Sequence, residues 1–379
     1  MGTGPLIGTM RIERTMRTIK VNASKNYDIM IGAGILEEAG AIIRITVGGQ
    51  SAAIVTDDNV AGLYGKRLAD SLETNGYRTV SYVFPNGESS KKAETFLSIL
   101  NFLANEKLSR TDVVVALGGG VAGDLAGFVA ACYMRGISFV QIPTTLLAMV
   151  DSSVGGKTAI NLSAGKNMAG AFYQPDVVIC DISTLSTLTA DVFRDGCAEI
   201  IKYGMLADRA LFESLETPIN EQLGDVIARC AEIKRDIVAE DEYEHGRRKL
   251  LNLGHTIGHA IEMLSGYGAT HGSAVAAGMA VVTRAAARMG LCEVDCLRSL
   301  VQMLKRYGLP TDTPYGAADI ARACLSDKKR DGESLTMVFP SEIGKCVLRK
   351  IPVRELEAVI QSGLEAEVQS ALEDEYYLT

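Results

Sequence analysis

The chain has 379 residues, 47% hydrophobic and 22% charged, which excludes a disordered polymer and exceeds one ordinary core, so two domains are expected. With 38 Lys and Arg against 46 Asp and Glu the formal charge is −8. That balance argues against bulk attraction to nucleic acid or an anionic membrane, so an anionic small molecule would need a local cluster of cations.

In chain order, the opening MGTGPLIGTMRIERTMRTIK lacks the continuous apolar run of a secretory signal, and Leu6 stands where a myristoylation signal needs Ser or Thr. SAAIVTDDN (51–59) reads as a strand and turn, VAGLYGKRLADSLETNG (60–76) as a helix closed by Gly76, and YRTVSYVFP (77–85) as a strand. KKAETFLSILNFLANEK (91–107) is a helix, TDVVVALGGG (111–120) a buried strand entering a glycine turn, AGDLAGFVAACYM (122–134) a helix and ISFVQIPTT (137–145) a strand. Strands alternating with helices at this spacing imply βαβ units and a mostly parallel, Rossmann-like sheet. After residue 182 the rhythm turns helical, in RDGCAEIIKYGML, IARCAEIKRDIVAEDE, GHTIGHAIEML and SAVAAGMAVVTRAAARMG, with one hairpin in SLTMVFPSEIGKCVLRKI and a terminal helix in EAEVQSALEDEYYLT. The expected organisation is an α/β domain over 1–182 and a mostly α-helical domain over 183–379. No run approaches the span of a membrane helix, and eight scattered cysteines without a C-x-x-C pair read as free thiols, so a soluble cytoplasmic protein is expected.

Gly118, Gly120 and Gly123 satisfy G-x-G-x-x-G after a strand and at the start of a helix. Glycine admits close backbone approach to a pyrophosphate, and the helix N-terminus supplies unpaired N–H groups. A tight strand-to-helix turn would use the same residues, but the strand–glycine–helix context favours a nucleotide site. The acid expected about 20 residues on is missing. Asp57 and Asn59 stand instead at the end of an earlier strand, placed to bond an adenosine ribose, so the expected fold is a dinucleotide-binding α/β sheet that departs from the standard Rossmann pattern.

The chain has four histidines, three of them His255, His259 and His271. His255 and His259 are four apart and share a helix face, with Gly254 and Gly258 leaving space beside them. Imidazoles with a carboxylate suit a divalent ion of the zinc type with one open position; hydrogen-bonded core histidines are the alternative. Glu199, among apolar residues in CAEIIKYG, is the candidate carboxylate, and a surface pair with Lys202 is its plainer reading. Asp151, Lys157, Lys166 and Asn167 in a glycine-rich loop region, with Glu244, Arg248 and Asn252 ahead of the histidine helix, would supply the cationic cluster that the net charge does not.

From YDIMIGAG to DKKRDG, the blocks LGGGVAGDLAGFVAACYMRG, IPTTLLAMVDSSVGGKTAIN, GKNMAGAFYQP, AEIIKYG and LNLGHTIGHAIE resemble, in order and spacing, those of the 3-dehydroquinate synthase family. The resemblance implies a zinc or cobalt ion on Glu199, His255 and His271, with His259 in proton transfer or substrate binding. It implies NAD contacts from Asp57, Asn59, Glu88, Lys91, Gly120, Val121, Ala122, Gly123, Asp124, Thr144, Thr145, Thr184, Leu185, Ser186 and Thr187, with Asp151, Lys157 and Lys166 near both ligands. Substrate would be held by Asp151, Lys157, Lys166, Asn167, Lys202, Lys234, Arg248, Asn252 and Lys328 or Lys329. Glu244 would move protons, and Arg135 would reach across a homodimer interface. The implied reaction turns 3-deoxy-D-arabino-heptulosonate 7-phosphate into 3-dehydroquinate and phosphate, a lyase step of the shikimate pathway to chorismate and the aromatic amino acids. One departure stands out: HGSAVA puts Ser273 where the family commonly has Glu. Competing readings are a cyclase making 2-deoxy-scyllo-inosose or 2-epi-5-epi-valiolone, a metal-dependent polyol dehydrogenase, and an inactive ligand sensor.

Overall fold

The structure, a computed structural model, describes residues 16–326, 330–331 and 333–365. The reading of the first fifteen residues, the terminal helix expected beyond residue 365, and Lys328 and Lys329 lie outside them. The chain forms two compact units: residues up to Phe193 with Asn220–Tyr243, and Arg194–Ile219 with residues from Glu244 onward. This division differs from a single boundary at 182/183. The helix Leu223–Glu240 packs on the first unit, against its first two strands and the turn 148–152, because Val226, Ile227, Cys230 and Ile237 form a buried apolar stripe there. Periodicity reveals such a stripe but not what covers it.

The first unit's strands are β1 (Arg17–Val21), β2 (Tyr27–Gly32), β3 (Ser51–Asp57), β4 (Arg78–Phe84), β5 (Val113–Gly118), β6 (Ser138–Pro143), β7 (Lys157–Leu162), β8 (Gly165–Phe172) and β9 (Val177–Asp181). Seven of them form one sheet in the order β1-β2-β9-β6-β5-β3-β4, parallel throughout except for the antiparallel β1–β2 pair. Alternate residues feed opposite faces. Ala52, Ile54, Val113, Val115, Val140 and Ile142 enter one apolar core, while Ala53, Val55, Val114, Ala116 and Phe139 enter the other. Burial on both faces explains why these strands read as continuous apolar runs.

The segment expected as a glycine-rich loop is in part an antiparallel hairpin, β7–β8. It lies close to the helix Gly120–Cys132: a Cβ on Gly127 would come within 2.4 Å of Thr158 Cγ2 and 2.9 Å of Phe139. Glycine is required there for helix–sheet contact.

The second unit holds the helices His255–Leu264, His271–Arg288, Val294–Arg306, Ala317–Ser326 and Val353–Leu364, with the expected hairpin at Ser334–Glu342 and Lys345–Pro352. A Cβ on Gly278 would lie 2.2 Å from Gly254 O, and one on Gly258 would lie 3.1 Å from Ala274 O. The space beside Gly254 and Gly258 is thus filled by the helix His271–Arg288, which brings His271 to the other two histidines. Among the described residues no helix is long and apolar enough to cross a membrane. All eight cysteines are free; five are buried, Cys292 and Cys346 are half-buried, and Cys132 is exposed.

Candidate active site

In the first unit, β3 is followed outward by β4, whereas β5 is followed by β6 on its other side. The order therefore reverses between β3 and β5, and the carboxyl ends of parallel strands at such a point form a ligand crevice. The residues implied as cofactor contacts issue from these ends: Asp57 and Asn59 after β3, Glu88 and Lys91 after β4, Gly120–Asp124 after β5, Thr144 and Thr145 after β6, and Thr184–Thr187 after β9. Gly118 has φ +152°, and a Cβ there would meet Ala122 Cβ at 2.8 Å and Asp57 Oδ2 at 3.5 Å. Gly119 caps the helix Gly120–Cys132 with no side-chain hydrogen bond, and the first helical bond runs from Gly123 N. The N–H groups of Gly120, Val121 and Ala122 thus precede the helical ladder, as an anion site requires. Gly123 lets the helix settle onto β6, since a Cβ would lie 2.7 Å from Gln141 Oε1.

Not every implied contact presents its side chain. Asp57 Oδ1 accepts from Asn59 N (3.0 Å) and Val60 N (2.9 Å), so this carboxylate also caps a helix start. Ala122 and Leu185 are core residues. Thr144 and Thr184 are buried; Thr184 Oγ1 donates to Asp181 O (2.7 Å). Ser186 and Thr187 are exposed, with Thr187 Oγ1 2.6 Å from Tyr64 Oη.

Around the hairpin, charges and amides interlock. Lys91 is buried; its Nζ meets Asp124 Oδ2 at 2.5 Å and donates to Asn167 Oδ1. Burial pushes the Asp124 carboxyl up, opposed by the Lys91 charge. Lys234 Nζ, on the helix Leu223–Glu240, bonds Asp151 Oδ1 (2.8 Å) and Asp151 O (2.6 Å). Lys157 is exposed and Lys166 half-buried. Arg135 is exposed in the turn after the helix Gly120–Cys132, at φ +65°, next to Met134 at φ +50°. Asn167 (φ +55°) and Glu244 (φ +62°) are likewise left-handed, a costly conformation for non-glycine residues that clusters at functional sites.

In the second unit, Glu199 and Lys202 do pair, through Oε2 and Nζ, but both are fully buried, as the apolar flanks of Glu199 imply, so the surface alternative does not hold. Glu199 Oε1 lies 3.5 Å from Nε2 of His255 and 3.5 Å from Nε2 of His271. The other ring nitrogens face away: His255 Nδ1 is 3.1 Å from Leu253 O, and His271 Nδ1 is 3.1 Å from Glu262 Oε1. With Nδ1–H donating outward, both Nε2 atoms and a carboxylate oxygen converge within 4.8 Å, the donor set and orientation of a zinc-type site. These residues fit a divalent cation. Burial, then the Lys202 charge, holds His255 well below the usual histidine range. For His271 burial acts downward, but the hydrogen bonds it donates to Glu199 and Glu262 prevail and raise it to about 10.

His259 stands beside this cluster, its ring 5.5 Å from that of His255 and 6.1 Å from that of His271. Arg248 is fully buried, and Asn252 Nδ2 donates to Glu244 Oε1 at 2.6 Å. Ser273 Oγ is 2.9 Å from Thr270 Oγ1, which donates to Asp195 Oδ1 at 2.6 Å, so Asp195 supplies a carboxylate beside this pair. Glu262 was missed from the sequence although it closes the block LNLGHTIGHAIE. It is buried, three residues from His259 and seven from His255 on one helix face, and that spacing was the available signal.

Fold and sites define an α/β unit with a nucleotide-type crevice, joined to a helical unit with a two-histidine, one-carboxylate cluster. Residues 81–195 match the family described as 3-dehydroquinate synthase N-terminal, and residues 196–330 match its C-terminal counterpart. A 3-dehydroquinate synthase of Streptococcus suis is 42% identical over 343 residues, covering 88% of this chain and 97% of its own. Among solved structures, 2-deoxy-scyllo-inosose synthase complexed with carbaglucose-6-phosphate, NAD+ and Co2+ superposes with TM-score 0.84 at 27% identity, over 92% of this chain and 100% of its own. The 2-epi-5-epi-valiolone synthase of Streptomyces hygroscopicus, with NAD+ and Zn2+ bound, gives 0.81 at 28% identity, over 91% and 98%. The chain belongs to the 3-dehydroquinate synthase family.

Proposed function

We propose that the protein converts 3-deoxy-D-arabino-heptulosonate 7-phosphate to 3-dehydroquinate and phosphate, as a phosphate-eliminating lyase of the shikimate pathway. The observation that carries this reading is the convergence of Glu199, His255 and His271 in a chain 42% identical to a relative of that name. The lower identity, 27% and 28%, to the solved inosose and valiolone synthases favours it over those cyclases.

The first unit binds NAD along the strand ends from Asp57 to Thr187, and the second binds zinc or cobalt through Glu199, His255 and His271. When bound, NAD supplies a reversible hydride acceptor with no net oxidation, and the metal supplies Lewis acidity toward hydroxyl and ketone oxygens. The remaining roles belong to this chain's side chains. Lys157, Lys166 and Arg248 counter the substrate's phosphate and carboxylate, since charge-assisted bonds are the strong ones. Asp151 and Lys234 orient one another through their 2.8 Å bond. Lys202 offsets the charge of Glu199, Asn167 contributes its amide, and Asn252 holds the Glu244 carboxylate for proton transfer at 2.6 Å. His259 is the second proton-transfer group, its ring nitrogens able both to accept and to donate a proton. The protein acts in the cytoplasm as a homodimer in which the exposed Arg135 completes the neighbouring site.

The test is to supply the heptulosonate phosphate with NAD and Zn2+ or Co2+. Phosphate is expected for many turnovers per NAD, without steady growth of NADH absorbance. Stoichiometric NADH beside product would replace this reading with a dehydrogenase.

A further inference from the structure

Asn161, on β7, joins two groups of residues that the proposed reaction uses separately. Its Nδ2 donates to Glu88 Oε1 at 2.7 Å, and its Oδ1 accepts from Asn167 N at 2.9 Å. Its backbone N donates to Lys91 O at 2.8 Å, and it bridges Lys92 in a parallel register. One amide side chain therefore donates to the turn after β4 and accepts from the start of β8.

Both partners need that support. Glu88 is exposed, so nothing in its burial fixes its rotamer. Asn167 sits at φ +55°, a strained conformation that persists only when its surroundings over-determine it. Asn161 Oδ1 fixes the Asn167 N–H, while Lys91 Nζ holds the Asn167 side chain and Asp124. The orientation of Glu88 and that of Asn167 thus depend on the same side chain.

We infer that Asn161 is a positioning residue that ties the nucleotide-contacting turn 88–91 to the substrate-contacting start of β8, residues 165–167, so that the two ligands meet one pre-set arrangement. This rests on the reading above that Glu88 and Lys91 face NAD while Lys166 and Asn167 face the heptulosonate phosphate. Asn161 itself touches neither ligand.

The bonding pattern supplies its own test. In Asn161→Asp the acceptor toward Asn167 N survives, but a second carboxylate now faces Glu88. The Kd for NAD and the KM for the heptulosonate phosphate should both rise, each about tenfold, because an opposed acceptor pair replaces a hydrogen bond. Adding Glu88→Gln restores a donor–acceptor pair with its direction reversed. The double variant should then match Glu88→Gln alone in both constants. A residue serving only stability would lower the thermal midpoint without this non-additive rescue. Constants in Asn161→Asp within twofold of the parent, or effects of the two substitutions that simply add, would overturn the inference. A parent protein that neither binds NAD nor releases phosphate would instead overturn the functional reading beneath it.

Discussion

At the proposed metal site a cation and a proton would compete for Nε2 of His271, with Glu262 strengthening the hold of both. In the metal-free protein His271 is raised to about 10, against the effect of burial, by the hydrogen bonds it donates to Glu199 and Glu262. At pH 7.5 the ring therefore carries about one proton that a cation must expel. His255 adds none, because burial and the Lys202 charge keep it neutral. The sign follows: the proton is bound at every pH below about 10, so metal affinity rises as pH rises, about tenfold per unit between pH 6.5 and 8.5. Glu262→Gln keeps an acceptor for Nδ1–H but removes the charge, so fewer protons are released toward pH 8.5. The ion's own hold should weaken about 10- to 100-fold, or about 1.4–2.8 kcal/mol. Zn2+ titrated calorimetrically into metal-free protein, in two buffers of different ionisation heat, counts the protons and gives the affinity together. Zero protons released by the parent at pH 7.5 would refute the reasoning, as would an unchanged proton count and affinity in Glu262→Gln.

His271→Ala should lose stoichiometric metal and activity together while circular dichroism stays native; full occupancy in that variant would remove His271 from the ligand set. Gly127→Val should lower stability by about 1–3 kcal/mol, seen as a fall in thermal midpoint, since the added side chain has no room against Thr158 and Phe139. Arg135→Ala protein mixed with Lys157→Ala protein should regain activity through hybrid dimers; subunit exchange without any recovery would end the shared-site proposal.

The parallel sheet was legible because its strands are buried on both faces and flanked by helices of strong period. The turn at Gly118–Gly120 was legible because few residues other than glycine fit it. The hairpin β7–β8 was not: KTAINL and GKNMAGAF lack sustained apolar alternation, and contact with the helix Gly120–Cys132 determines the pairing. The attachment of the helix Leu223–Glu240 to the first unit was hidden for a related reason, since a buried stripe does not specify its partner. Of the histidine–carboxylate cluster, the His255–His259 spacing was readable from helix geometry. His271 joined them through the linked blocks, and its approach depends on the glycine contacts between two helices.

The chain passes between its two units three times, after Phe193, Ile219 and Tyr243. During synthesis the first unit therefore cannot close when its sheet has emerged; it must wait for the helix that carries Lys234. The intervening residues take about 3–10 s to make at ordinary elongation rates. Through that interval the apolar residues that meet this helix stay uncovered beside the first stretch of the second unit. A fragment ending at 182 or 193 would keep that face bare permanently, and the nascent chain is exposed to chaperones and proteases there before either unit is complete.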